Sequence, residues 1–283
     1  MTIIDGKLVS AAVLKDASAK VVRLKEKNLE PCLAVIIVGN DSASRVYVNN
    51  KKRRCAEVGI KSLEFALEES VSQKELLELI GELNENRDVN GILCQLPLPA
   101  HIDENAVIEK IDPKKDVDCF CNVNVGMLWT GEADFLPCTP AGVVRLLEAY
   151  GVDICGKNCV IVGRSNIVGK PLAAMLLQKN ATVTVCHSKT SDLSRICRSA
   201  DVLISAVGRE KFITEDMVKN NAVVIDVGIN RNREGKLCGD VDFENVSKKA
   251  SFITPVPGGC GPMTIAMLME NTVKACEIQH KGV

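Results

Sequence analysis

The chain has 283 residues, 46% of them apolar and 25% charged, with 35 Lys plus Arg against 36 Asp plus Glu. A length of this order predicts two domains, each able to bury a core, and the composition excludes a disordered or collagen-like chain. A net charge of −1 offers no basic excess to hold nucleic-acid phosphates, and 3% aromatic residues offer no platform for stacking bases.

Met1 to Ser10 carries Asp5 and Lys7 and lacks the apolar core of a signal peptide. No apolar run approaches the length of a membrane span. The expectation is a soluble, cytoplasmic protein. The thirteen cysteines are an odd number. Cys119 and Cys121 are two apart and Cys155 and Cys159 four apart, so neither pair makes a CxxC, and no histidine lies nearby. Buried apolar thiols are expected, with neither a disulfide framework nor a metal.

Along the chain, Leu33–Val38 is a continuous apolar run ending at Gly39, as a buried parallel strand requires. Asn40-Asp41-Ser42 supplies the N-cap of a helix over Ala43–Val58. Ser72-Gln73-Lys74-Glu75 is a capping box, and Leu76, Leu77, Ile80 and Leu83 make one helical stripe after it. Gly91–Gln95 reads as a strand stopped by Leu96-Pro97-Leu98-Pro99. Thr139-Pro140 gives a cap and a first-turn proline to a helix bearing Val143, Leu147 and Tyr150.

A second series then begins. It has strands at Cys159–Val162, Thr182–Cys186, Val202–Ala206, Ala222–Val227 and Phe252–Thr254, a helix at Gly169–Gln178, and a last helix from about Thr264. This alternation predicts parallel sheets covered by helices, in two α/β units over 1–138 and 139–261. The terminal helix fits either unit.

Gly163-Arg164-Ser165 through Gly169-Lys170-Pro171 joins a strand to a helix through a glycine turn, the context of a dinucleotide fingerprint. A helix N-terminus there offers free amides and a positive dipole end to a pyrophosphate. The run is not GxGxxG, because Ser165 stands at the second glycine and the next glycine is one place late. A tight turn between packed elements explains it about as well. The next strand ends in His187-Ser188-Lys189, where a site for NAD carries an acid for the ribose hydroxyl. A hydroxyl and a cation there, with Arg164 on the adjacent turn, favour a phosphorylated ribose and so NADP.

Three further clusters invite chemistry. Tyr47 and Lys51, four apart, share a helix face, although Lys52, Arg53 and Arg54 beside them suit a solvated surface. A lysine beside a tyrosine serves as a proton carrier when burial or charge lowers its pKa. Gln95 follows an apolar strand, at the end where α/β proteins build sites. Asp116 and Asp118 suit Mg²⁺ binding or loop capping equally, and Pro257-Gly258-Gly259 opens the last helix rigidly.

Taken in order, the motifs Tyr47-Val48-Asn49-Asn50-Lys51, Gln95-Leu96-Pro97-Leu98-Pro99, Lys115-Asp116-Val117-Asp118, Gly163-Arg164-Ser165 to Pro171, Asp226-Val227-Gly228-Ile229-Asn230 and Pro257-Gly258-Gly259-Cys260-Gly261-Pro262-Met263-Thr264 span the chain. In these the chain resembles the bifunctional methylenetetrahydrofolate dehydrogenase/methenyltetrahydrofolate cyclohydrolase family.

The resemblance implies a two-domain α/β protein. Its three-layer catalytic, folate-binding domain would be built from 1–138 with 262–283, its NADP-binding Rossmann domain would cover 139–261, and the active-site cleft would lie between them. It implies a homodimer. It also implies NADP-dependent oxidation of methylenetetrahydrofolate to a methenyl cation, then hydration to 10-formyltetrahydrofolate, a one-carbon donor of purine biosynthesis. Lys51 would assist proton transfer, Gln95 would orient Lys51, Tyr47 would pack on the folate, and Asp118 would read the pterin. Gly163, Arg164, Ser165, Ser188 and Ile229 would bind NADP, while Gly258, Gly259 and Thr264 would line the substrate site.

The chain departs from the family's usual pattern at Cys119, where glycine is common, and at Cys260, where valine is common. A Cβ at residue 119 disfavours positive φ and so bears on the loop that carries Asp118. A dehydrogenase for another small molecule and a non-catalytic binder are the alternatives. The Tyr47, Lys51, Gln95 and Asp118 set argues against the first, and Lys51 with Gln95 against the second.

Overall fold

The computed structural model describes residues 1–281, and of Ser42 and Ala43 the backbone alone. In chain order the elements are β1 (Thr2–Ile3), α1 (Gly6–Glu26), β2 (Cys32–Val38), α2 (Ser42–Val58), β3 (Lys61–Leu67), α3 (Gln73–Glu85), β4 (Gly91–Cys94), α4 (Glu104–Lys110), α5 (Asn122–Thr130) and α6 (Cys138–Ala149). There follow β5 (Asn158–Val162), α7 (Gly169–Gln178), β6 (Thr182–Cys186), α8 (Leu193–Arg198), β7 (Val202–Ser205), β8 (Val223–Asp226), β9 (Asn230–Arg231), β10 (Leu237–Cys238), α9 (Phe243–Val246), β11 (Phe252–Ile253) and α10 (Cys260–Gln279). Among the described residues no helix is long and apolar enough to cross a membrane.

The chain divides into two units, Ala12–Leu136 with Ile265–Val283, and Met1–Ala11 with Pro137–Thr264. The first is built on a parallel three-stranded sheet in the order β3-β2-β4. Every residue of the central strand β2 is buried, as its unbroken apolar run requires. Cys32, Ala34 and Ile36 pack with Leu76, Ile80 and Leu83 of α3 in one core. Leu33, Val35 and Ile37, which alternate with them, are buried on the opposite face, so the sheet is covered on both sides. The capping box forms as read: Glu75 N–H donates to Ser72 Oγ and Ser72 N–H to Glu75 Oε2. Asp41 caps α2, accepting from Ser44 N–H at 2.7 Å.

The second unit carries a parallel six-stranded sheet in the order β1-β11-β8-β7-β5-β6. Counted from β5, the doubly wound part runs 2-1-3-4-5. The strand order therefore reverses between β5 and β7, and the crevice at their carboxyl ends is where such sheets bind ligands. Three readings of the sequence need revision here. Thr2–Ile3, grouped from sequence with the first half of the chain, pairs with Phe252–Ile253 at the edge of this sheet. Thr139 is not the cap of α6: Pro137 holds that place without a side-chain bond, and Thr139 Oγ1 lies 2.9 Å from Thr264 Oγ1. The last helix starts at Cys260, four residues early, because Gly261 and Pro262 are both acceptable in a first helical turn.

Candidate functional site

In the first unit, α2 and β4 bring together two of the residues singled out from sequence. Lys51 Nζ donates to Gln95 Oε1 at 2.9 Å, and Gln95 Nε2 in turn donates to the Leu96 carbonyl at 2.7 Å. The amide is thereby oriented with its oxygen toward the lysine. The neighbouring basic residues behave differently. Lys52 and Arg45 pair with Glu64 on β3, and Arg53 and Arg54 pair with Glu57, so that run is a solvated face from which Lys51 turns away. Tyr47 lies one turn before Lys51 on α2 and is 39% exposed.

Asp118 reaches the same end of the sheet through a pinned loop. Ile92 of β4 bridges to Asp116 in parallel fashion. Asp116 Oδ2 accepts from Cys121 N–H at 2.9 Å and Asn124 Nδ2 at 3.0 Å. Burial pushes its carboxyl above the usual range, against the pull of those donors. Lys115, also buried, spends its ammonium on the Leu83 and Asn86 carbonyls at 3.0 and 2.7 Å. Asp116 thus builds the loop, its Oδ2 taken by the Cys121 and Asn124 donors. The Cys94 thiol, one residue before Gln95, is pushed up to about 12 by burial and then by the charge of Asp118.

Cys119 stands at φ +60° and is fully buried, with its Sγ 3.3 Å from the Phe135 carbonyl. The left-handed backbone that a Cβ disfavours is nonetheless adopted here, and a side chain bears it.

In the second unit Gly163, Arg164 and Ser165 follow β5 at the reversal point, and Ser188 follows the neighbouring β6. Gly163 ends β5 at φ +132°, and a Cβ there would lie 2.3 Å from the Ala206 carbonyl oxygen. A Cβ on Gly169 would lie 2.2 Å from the Gly163 oxygen. The turn therefore needs both glycines despite departing from GxGxxG. Ser165 Oγ accepts from Val168 and Gly169 N–H at 3.1 and 3.4 Å, doing with a hydroxyl part of what a glycine turn does with backbone. Arg164 is exposed on this turn, and Ser188 and Lys189 are exposed on the turn after β6. Gly163 N–H donates to the Cys186 carbonyl at 2.9 Å, so the two turns are adjacent. A backbone cradle with a helix N-terminus and nearby hydroxyl and cationic groups fits a phosphorylated dinucleotide.

Ile229, 46% exposed, approaches Gly261 in the first turn of α10, just after the loop that contains Gly258 and Gly259. Gly6 N–H holds the Gly258 carbonyl at 2.9 Å, and Thr264 closes on Thr139.

Sequence reasoning gave no role to Asp226, although it heads a quoted motif, and passed over Asp240; these two hold the loops after β7 and β8. Their signal was an acid beside a glycine at the end of an apolar run: Val223–Asp226 before Gly228, and Gly239 before Asp240. Burial pushes the Asp226 carboxyl up to about 6.

Comparison with known proteins agrees with this arrangement. Residues 4–118 match the catalytic-domain model of tetrahydrofolate dehydrogenase/cyclohydrolase, and residues 137–280 match its NAD(P)-binding-domain model. The bifunctional protein FolD of Agathobacter rectalis is 60% identical over 273 residues, 96% of this chain and 98% of its own. The FolD methylenetetrahydrofolate dehydrogenase/cyclohydrolase of Campylobacter jejuni superposes with a TM-score of 0.97 at 55% identity, covering 98% of this chain and 99% of that one. The Trypanosoma brucei enzyme, solved with NADP cofactor and inhibitor, has a TM-score of 0.94 at 39% identity and covers 98% of each chain. The chain belongs to the tetrahydrofolate dehydrogenase/cyclohydrolase family.

Proposed function

We propose that this protein is the bifunctional enzyme of one-carbon folate metabolism, oxidising methylenetetrahydrofolate with NADP and hydrolysing the methenyl product to 10-formyltetrahydrofolate. The observation that carries the reading is the 2.9 Å bond from Lys51 to Gln95 at the carboxyl end of β4, in the unit that matches the family's catalytic domain. A binding protein has no use for an oriented amine at that place.

NADP, when bound, supplies the hydride acceptor. Gly163 and Gly169 permit the tight turn, shaped by Ser165, whose backbone would meet the pyrophosphate. Arg164 and Ser188 take the ribose phosphate, and Ile229 covers an apolar face. Asp118 accepts from the N–H and amino group of the pterin and so sets the folate's register. Tyr47 packs on the folate's aromatic part, and Gly258, Gly259 and Thr264 line its site. Lys51 takes a proton from the water that attacks the one-carbon centre and returns it as the ring opens. Gln95, fixed by the Leu96 carbonyl, holds the amine in line, which is chiefly a positioning task. We infer further that the enzyme works in the cytoplasm as a homodimer, and that its 10-formyl product serves purine biosynthesis.

The test is one cuvette with protein, methylenetetrahydrofolate and NADP, with NAD as control. NADPH rising while methenyl stays low against an enzyme-free hydrolysis control supports both activities. NADPH and methenyl rising together would leave the dehydrogenase alone, and neither rising would leave only a binder.

A further inference from the structure

Asp226 and Asp240 are among the most connected carboxylates of the molecule, and neither belongs to the residues assigned above to substrate or cofactor. Asp240 is fully buried. Its Oδ2 accepts from Ser205 Oγ at 3.1 Å, Val207 N–H at 2.7 Å and Gly208 N–H at 3.2 Å. Its Oδ1 accepts from Arg209 N–H at 2.9 Å and Asn230 Nδ2 at 3.0 Å. Asp226 stands behind it: Oδ1 accepts from Gly228 and Asp240 N–H at 2.9 and 3.0 Å, and Oδ2 from Val241 N–H at 2.9 Å. The packing leaves no slack, since a Cβ on Gly228 would lie 2.2 Å from Asp240 Oδ1.

A buried carboxylate is costly, and these two spend their lone pairs chiefly on loop groups rather than on a cation. The loops are those leaving the carboxyl ends of β7 and β8, beside the point where the strand order reverses. Ala206, whose carbonyl closes on Gly163, adjoins the clamped segment 207–209, and Ile229 lies between the clamped Gly228 and Asn230. A neutral side chain at position 240 would leave those N–H groups to find other partners, and each loop would relax separately.

We propose that Asp240, backed by Asp226, is the positioning residue of the NADP site: it locks the loops after β7 and β8 in the cofactor-binding shape before cofactor arrives. The inference rests on the NADP reading above. Asp240→Asn keeps the shape of the side chain but turns an N–H₂ toward loop donors.

The expected result is an NADP Kd raised tenfold or more by calorimetry, with the KM for the folate within twofold of wild type and kcat falling less than the KM for NADP rises. Leu147→Ala in the buried part of α6 is the matched control. It should lose thermal stability yet keep its NADP Kd within twofold. An Asp240→Asn protein with wild-type NADP affinity overturns the proposal, as does an equal loss of affinity in Leu147→Ala. Should Asp240→Asn not fold, Asn230→Ala and Ser205→Ala, which each remove one donor, decide the matter: a threefold rise in Kd supports the clamp and wild-type affinity overturns it. Wild-type protein that fails to bind NADP refutes the functional reading instead, and is told apart because no variant is then needed.

Discussion

The two units hold their working groups by different means. In the first, Lys51 meets Gln95 side chain to side chain across α2 and β4, and Asp118 rides on a loop anchored by two buried side chains, Lys115 and Asp116. In the second, the candidate cofactor site is mostly backbone: glycines that admit no Cβ, amide donors, and loops tied by Asp226 and Asp240. A chemical step needs particular side chains that can exchange a proton, whereas a long polar cofactor is held by many backbone groups at fixed places. Substitution of Lys51 or Gln95 should therefore remove chemistry and spare the fold, while substitutions in the turns of the second unit should disturb shape first.

The sharpest separation comes from Lys51→Gln, which should lower cyclohydrolase activity by about 10³-fold, the middle of the range for a positioned proton carrier, while leaving measurable dehydrogenase. Equal loss of both activities, followed as NADPH and methenyl in one assay, would break the comparison. Gly163→Ala should abolish NADP binding and cost at least about 2 kcal/mol in urea unfolding, because the added methyl meets the Ala206 carbonyl and φ is positive. An alanine variant that still binds NADP would show that the turn is not a backbone cradle.

Asp116→Ala strands Cys121 N–H and the Asn124 amide and should cost about 2–3 kcal/mol. Steady-state kinetics should show a raised KM for the folate with an unchanged KM for NADP, the mirror image of the effect expected at Asp240. Cys119 offers a finer test. Both Cys119→Gly and Cys119→Ala lose the thiol, but only glycine is at ease at φ +60°, so the glycine variant should be the more stable by about 1 kcal/mol. Smallest of all, Cys155 is exposed while Cys55, Cys94, Cys121 and Cys197 have thiols pushed up to about 12 by burial. Iodoacetamide at pH 7.5 should modify Cys155 first, and mass spectrometry of digested protein would read the order.

Much of this was legible before any coordinates. Strands β5 to β8 fell within a residue of their expected limits: β5, β7 and β8 are short buried runs, and β6 is a β-branched run at the sheet edge. Helices α2, α3 and α7 announced themselves by cap or glycine turn. Helix α1 and strand β3 went unread. Outward-facing Lys and Glu interrupt α1's apolar positions, and β3 is a half-buried edge strand that needs no strict alternation. At the site, Lys51, Gln95, Asp118 and Gly163 were visible as motif residues, but Asp240 looked like any surface acid.

The sequence by itself determined the local matters: which segments become buried strands, where helices are capped, that a glycine turn follows β5, and which family the chain resembles. These depend on neighbours a few residues away. Only the tertiary structure decided that Thr2–Ile3 joins the sheet beside Phe252–Ile253, that the strand order reverses between β5 and β7, that Lys51 turns to Gln95 rather than to solvent, and that Asp240 gathers Ser205, Val207, Gly208, Arg209 and Asn230. Those outcomes depend on burial. A carboxylate or an amine takes its role from the donors and acceptors that replace water around it, and in this protein those come from distant parts of the chain.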